Sequence, residues 1–257
     1  MSIRRRRLLL SGALAVLLAM SVLAIGHLWA PDPPRDPEAL VLRVVFVKGM
    51  GSPVERPVPD ISVYGDGRMV ITLPDRRMVT DQRLTYPAYR RVYRDARLAG
   101  LAASRTLHGK ERMPDAGPTV VTLLAGGRPE VTTVQPGAGG VRAWLINRLI
   151  GRLRSLPPGD LRSPPATYRA ARMAIIAWRP QETALDPAAR VVSWTLRPPP
   201  ASRQATCTLL TGTDAEAAAR LAASAPPGSY WRSGSHLYAV IFRPLLPDEP
   251  DCAAATP

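Results

Sequence analysis

The sequence predicts an α+β fold: antiparallel sheets covered by helices, preceded by an N-terminal export or transmembrane helix. Three observations predict it. Short β-rich runs meet at glycine turns, at Gly65-Asp66-Gly67, Ala125-Gly126-Gly127-Arg128 and Ser233-Gly234-Ser235. Segments with apolar residues at helical spacing alternate with them. The 28 prolines fall between periodic segments, where they punctuate.

The chain opens on Arg4-Arg5-Arg6-Arg7, followed by an apolar run from Leu8 to Ala30. The arginines hold this end on the cytoplasmic side, so the following chain crosses the membrane. Two readings stand. A cleaved signal peptide has its small-residue site at Val22-Leu23-Ala24. An uncleaved anchor uses all of Leu8 to Ala30, about 23 residues, enough to span the hydrocarbon as a helix. Trp29 then sits at the outer interface, and Pro31-Asp32-Pro33-Pro34 ends the helix. Residues 31–38 read as a proline-rich linker. No cysteine lies near this segment, which argues against a lipid-modified N-terminus.

Leu40 to Val47 reads as a strand. Ile61 to Tyr64 and Met69 to Thr72 flank Gly65-Asp66-Gly67 as a hairpin, because glycine supplies the positive φ of tight turns. Asp66 between glycines lacks the further oxygen ligands of a calcium loop. Thr85 caps a helix from Tyr86 to about Leu101, with Pro87 in its first turn. Tyr89, Val92, Tyr93, Ala96 and Leu101 form its apolar face. Arg90, Arg94 and Arg97 line another, and Arg91 and Asp95 stand one turn apart as a candidate pair. Thr119 to Leu124 and Glu130 to Val134 form a second hairpin, after a polar loop from Leu107 to Gly117. A helix from Val141 to Leu156 carries the row Val141, Leu145, Leu149 and Leu153, widened by Trp144 and Ile150. Packing on the preceding strands and lying on a membrane surface both fit it.

Leu156 to Pro165 reads as the internal boundary. Units are thus expected at 39–156 and 166–252. In the second, Ala170 to Trp178 is ambiguous between strand and helix. Strands follow at Val191 to Leu196 and Ala205 to Leu210. Thr213 caps a helix from Asp214 to about Ser224, with Glu216 completing a capping box. Tyr230 to Arg232 and Leu237 to Phe242 make a third hairpin. The order strand-strand-helix-strand-strand occurs twice, without sequence identity between the copies.

The net charge is +14, and only Lys48 and Lys110 among the basic residues are lysines. Arginine over lysine is the product of a GC-rich genome, or of selection for an acidic partner. The exported address and the lack of aromatics interleaved with arginines argue against nucleic acid. The only cysteines, Cys207 and Cys252, form a disulfide in the exported reading, pinning the polar C-terminal tail to a strand. Asp248, Glu249 and Asp251 read as a solvated cluster in that tail.

No active-site constellation stands out, and no catalytic, cofactor or metal residue is assigned. His27, His108 and His236 lack metal-ligand spacing. Ser235 and His236 are adjacent, and neighbours on a strand point to opposite faces. No P-loop, dinucleotide fingerprint or nucleophile elbow occurs.

Ser62-Val63-Tyr64-Gly65-Asp66-Gly67-Arg68 resembles an LYGDG hairpin. Arg243-Pro244-Leu245-Leu246-Pro247-Asp248-Glu249 with Cys252 resembles an RPLLPDE…C terminus. Both are similar to a group of uncharacterised exported proteins and lipoproteins of high-GC Gram-positive bacteria, as is the order of elements from Leu40 to Cys252. The resemblance implies export and implies no activity. The missing lipid-attachment cysteine departs from the lipoprotein members and favours a membrane anchor or free secretion. The expected role is binding, to an envelope protein or an anionic envelope polymer, with Arg90, Arg94 and Arg97 as anion contacts. The alternatives are an envelope-acting hydrolase or transferase and a structural accessory subunit.

Overall fold

A computed structural model describes residues 31–47, 56–73, 78–109, 116–181, 190–200, 202–226 and 228–256. Residues 1–30, read from sequence as an export segment, lie outside the described residues. Among the described residues no helix is long and apolar enough to cross a membrane. The architecture is α+β, with three α-helices and two largely antiparallel sheets of eight and five strands among the described residues.

The first unit contains β1 (Leu40–Phe46), β2 (Ile61–Tyr64), β3 (Arg68–Thr72), β4 (Val79–Leu84), α1 (Tyr86–Leu98), β5 (Arg105–Leu107), β6 (Thr119–Ala125), β7 (Arg128–Val134), α2 (Gly140–Arg154) and β8 (Leu161–Thr167). The sheet order is β5-β7-β6-β1-β2-β3-β4-β8, antiparallel except at β5–β7. The β2–β3 hairpin closes in the expected register, Ile61 opposite Ile71 and Val63 opposite Met69. Gly67 takes φ 79°, and the Asp66 carboxylate accepts the Arg68 N–H at 2.8 Å, so Asp66 is a turn residue.

Because side chains alternate across a strand, the sheet has two different faces. Leu42, Val44, Ile61, Val63, Met69 and Ile71 pack under α1 and α2. Arg43, Ser62, Tyr64, Arg68, Val70 and Asp81 lie on the reverse face; Arg68 grips Asp81 there at 2.6 Å.

Several expectations need correction. β4 and β5 lie in stretches to which no element is assigned from sequence, and β5 ends at Leu107, where the polar loop read from sequence begins. Leu156 to Pro165 is not a break. Its second half is β8, which carries Pro164 and Pro165 and pairs only with β4 as an edge strand, where a missing donor is tolerated. The first unit therefore ends at Thr167. Residues 31–38 are not a free linker: Pro33 is buried, and the Tyr89 hydroxyl donates to the Pro34 carbonyl at 2.6 Å. A Cβ on Gly65 would stand 2.1 Å from the Asp36 carbonyl oxygen, so glycine there lets the segment lie directly on the hairpin. In α2 the packed face runs through Ala143, Ile146, Leu149, Ile150 and Leu153, so Leu149, Ile150 and Leu153 of the expected face are buried, joined by Ala143 and Ile146. Val141 and Trp144 are left 73% and 56% exposed.

The second unit contains β9 (Arg172–Trp178), β10 (Val191–Ser193), β11 (Thr206–Thr211), α3 (Gly212–Ser224), β12 (Tyr230–Ser233) and β13 (His236–Pro244). Its sheet order is β10-β12-β13-β9-β11, so the ambiguous run at 170–178 is a strand flanked by β13 and β11. The two units do not share a sheet. α3 begins before Thr213, and that residue lies inside the helix, so the expected capping box is not its start. α3 covers Met173, Ile175 and Ala177 through Ala215 and Ala218.

The C-terminal tail joins the units. Leu245 packs against Ala174 and Ile176 of the second sheet, while its neighbour Leu246 packs against Tyr64, Val70 and Val79 on the reverse face of the first. The two stretches that carry the family resemblance meet here: the Tyr64 hydroxyl donates to Asp248 at 2.7 Å, and Arg43 reaches the same carboxylate at 2.8 Å. Arg243 and Glu249, 1% and 6% exposed, form a buried ion pair at 2.5 Å. Arg243 also donates to the carbonyl of Arg56 at 3.0 Å. The tail is thus an interface at Asp248 and Glu249, which face Arg43 and Arg243, while Asp251 is exposed as expected and caps the Ala253 N–H. The Cys207–Cys252 disulfide is present, with Cα atoms 6.0 Å apart, and ties a short 3₁₀ turn to β11.

Two phenols of this joint make it alkali-sensitive. Burial, then the Asp248 charge and hydrogen bond, push the Tyr64 hydroxyl up. Burial pushes Tyr168 from 10.0 up to about 12; its hydroxyl donates to the Leu245 carbonyl at 2.8 Å. Raised values mean that the folded protein keeps protons the unfolded chain releases, so this stability is whole below pH 10 and is lost on going up towards pH 12. Denaturant midpoints measured across that window fall as pH rises, and Tyr168→Phe flattens the fall. A flat wild-type profile contradicts this.

Candidate anion-binding cleft

The strongest candidate site lies on the first two turns of α1. The helix starts where it does because the Thr85 hydroxyl accepts the Ala88 N–H at 3.4 Å and Pro87 is pre-set for the first turn. Ala88, Tyr89, Val92, Tyr93 and Ala96 are drawn into the core. That rotation leaves Arg90, Arg91 and Arg94 on the outer side. With Tyr86 and Pro87 they line a cleft of about 260 Å³.

The guanidinium groups are unequally satisfied. Arg91 pairs with Asp160, which the 3₁₀ turn Pro158–Asp160 brings against the start of α1; the Asp160 carbonyl also accepts the Thr85 N–H at 2.8 Å. Arg90 Nε lies 2.9 Å from Asp32 Oδ1, without hydrogen-bond alignment. Arg94 Nε is buried, and among the described residues Arg94 makes no hydrogen bond or ion pair. At the rim, Arg35 lies 5.1 Å from the Tyr86 ring centroid, donates to its hydroxyl at 2.9 Å and stands 3.8 Å from Asp32. Four arginines thus share two carboxylates. An Nε–H stripped of water and left without an acceptor, as in Arg94, is unfavourable. A ligand with several oxygens satisfies it, and planar forked donors suit carboxylate or phosphate.

Two of the three arginines expected as anion contacts, Arg90 and Arg94, come together here. Arg97 does not; its guanidinium lies over the Tyr93 ring, 5.9 Å from the centroid. Arg91 joins the cleft instead, because its partner is Asp160 and not Asp95. Asp95 is taken by Arg152 of α2 at 2.7 Å. The sequence signal for Arg91 is its one-turn offset from Pro87, four residues earlier on the same helix strip.

Other candidates are weaker. A cleft of about 360 Å³ on the second unit is lined by Trp178, Arg179, Arg203 and Tyr230 among others, and none of the buried donors without a partner lies there. The Ser235 hydroxyl does approach His236 Nδ1, at 3.4 Å. This corrects the opposite-face argument, because Ser235 belongs to the turn and not to the strand. The pair is exposed at a loop tip. His108 is exposed after β5. Among the described residues no three His, Cys, Asp or Glu side chains are grouped as metal ligands. Comparison of the chain with protein-family profiles, curated proteins and solved structures found no match.

Proposed function

We propose that this is an exported protein, held at the outer face of the plasma membrane by residues 8–30, that binds an anionic component of the envelope through the α1 cleft. One observation carries the reading: Arg94, buried at its Nε and without an acceptor among the described residues, stands one helical turn from Arg90 and Arg91, each already beside a carboxylate. The Cys207–Cys252 disulfide supports the exterior address, since such bonds persist in oxidising compartments. The tetra-arginine start and the apolar run after it support the tether. The role is recognition and positioning: the cleft offers positive donors held on the first two turns of one helix.

Crosslinking in intact cells, followed by identification of what is attached, tests this. The expected adduct is an anionic envelope component joined near α1. It is lost in Arg94→Gln and does not form when crosslinking is done at about 1 M salt, where the screening length falls to roughly 3 Å. An adduct that survives both treatments overturns the cleft as the binding surface.

A further inference from the structure

The position of the chain at residue 32 narrows the partner. This step rests on the tether reading above. Asp32 is only two residues beyond Ala30, the end of the apolar run, and two residues reach at most about 7 Å. The headgroup layer of one leaflet is itself about 5–7 Å thick. Asp32 pairs with Arg90, one of the residues that line the cleft. There is no slack afterwards: Pro33 is buried, Pro34 accepts from Tyr89 at 2.6 Å, and Asp36 lies against Gly65. A body joined this tightly to a membrane span cannot swing away from it.

We infer that the α1 cleft takes the phosphate of an anionic phospholipid headgroup from the same bilayer that carries the tether, so that the first unit lies with its helix layer against the membrane. Arg94 is the free donor for that phosphate, and Asp32 is an internal carboxylate that competes for Arg90. The rest of the layer fits an interface. α2, which packs on the same sheet face as α1, exposes Val141 and Trp144, and Arg148 lies over the Trp144 ring, 5.2 Å from the centroid. Indole rings and arginines with apolar stems settle at headgroup depth. Lipid is favoured over a wall polymer because the reach argument places the cleft inside the headgroup layer, where a polymer must displace lipid to enter.

The full chain is reconstituted in nanodiscs of zwitterionic lipid alone, or with about a third anionic phospholipid, and hydrogen exchange is followed along residues 86–98. The expected result is slower exchange in the first two turns of α1 in the anionic discs only. Arg94→Gln weakens this lipid dependence about fivefold, the effect of one basic residue near a charged surface. Asp32→Asn strengthens it, by freeing Arg90, a gain that a misfolded variant would not give. Equal exchange in both lipids, with the chain still disc-bound, overturns the headgroup assignment and leaves the tether standing. Protection that appears only on adding a soluble anionic wall polymer overturns it in favour of that polymer. A chain recovered cleaved after Ala24 and free of the discs overturns the tether itself, and this inference with it.

Discussion

Replacing Glu249 by glutamine destabilises the protein by about 3–5 kcal/mol, because it leaves the Arg243 guanidinium buried and without its counter-charge. Arg243 is the more sensitive partner. It donates to Glu249 at 2.5 Å and 3.0 Å and also to the Arg56 carbonyl, at 3.0 Å. Arg243→Met therefore strands acceptors in the first unit as well as the carboxylate in the tail. The double variant Arg243→Met with Glu249→Leu recovers part of the loss and not all of it, since the carbonyls stay unsatisfied. Because the bond to the Arg56 carbonyl crosses between the units, Arg243→Met also separates one unfolding transition into two. Denaturant unfolding followed by two probes, one per unit, checks both statements. A loss below about 1 kcal/mol in Glu249→Gln means that the pair is not holding the joint.

The second large effect comes from the disulfide. Cys252→Ser lowers stability by about 3–4 kcal/mol, the loop-closure contribution of a cross-link of this span. The bond acts beyond its own two residues. Cys252 ends the tail that carries Asp248, so releasing it loosens the hold of Arg43 and Tyr64 on that carboxylate. Reductant brings the wild-type chain down to the level of the variant and leaves the variant unchanged. Equal stability of oxidised and reduced wild type, measured by equilibrium unfolding, contradicts this.

The features readable from sequence are those with local causes. Gly65-Asp66-Gly67 writes its own hairpin, Thr85 and Pro87 write the start of α1, and two cysteines, the only ones in the chain, write the disulfide. The features that escape have distant partners. β4, β5 and β8 are short, polar or proline-bearing, and owe their existence to the neighbour they pair with. Asp248 looks solvated until Arg43, 205 residues away, is brought to it. The cleft was legible in half. Spacing puts Arg90 and Arg94 on one strip. It cannot tell that Tyr93 would hold Arg97 back, or that Asp160 would arrive from beyond α2 to draw in Arg91.

The joint between the units also sets a timetable. Ribosomes deliver the chain from its N-terminus, and units fold in that order. Every strand of the first sheet has emerged by Thr167. The second sheet must wait for β13, because that strand lies between β12 and β9. Leu245 and Leu246 follow at once, and Cys252 last. Throughout that interval the first unit stands folded with Tyr64, Val70 and Val79 uncovered, since Leu246 is what shields them. The nascent protein thus passes through a stage with an open apolar patch, and it is then that a chaperone or a second copy of the chain has something to hold.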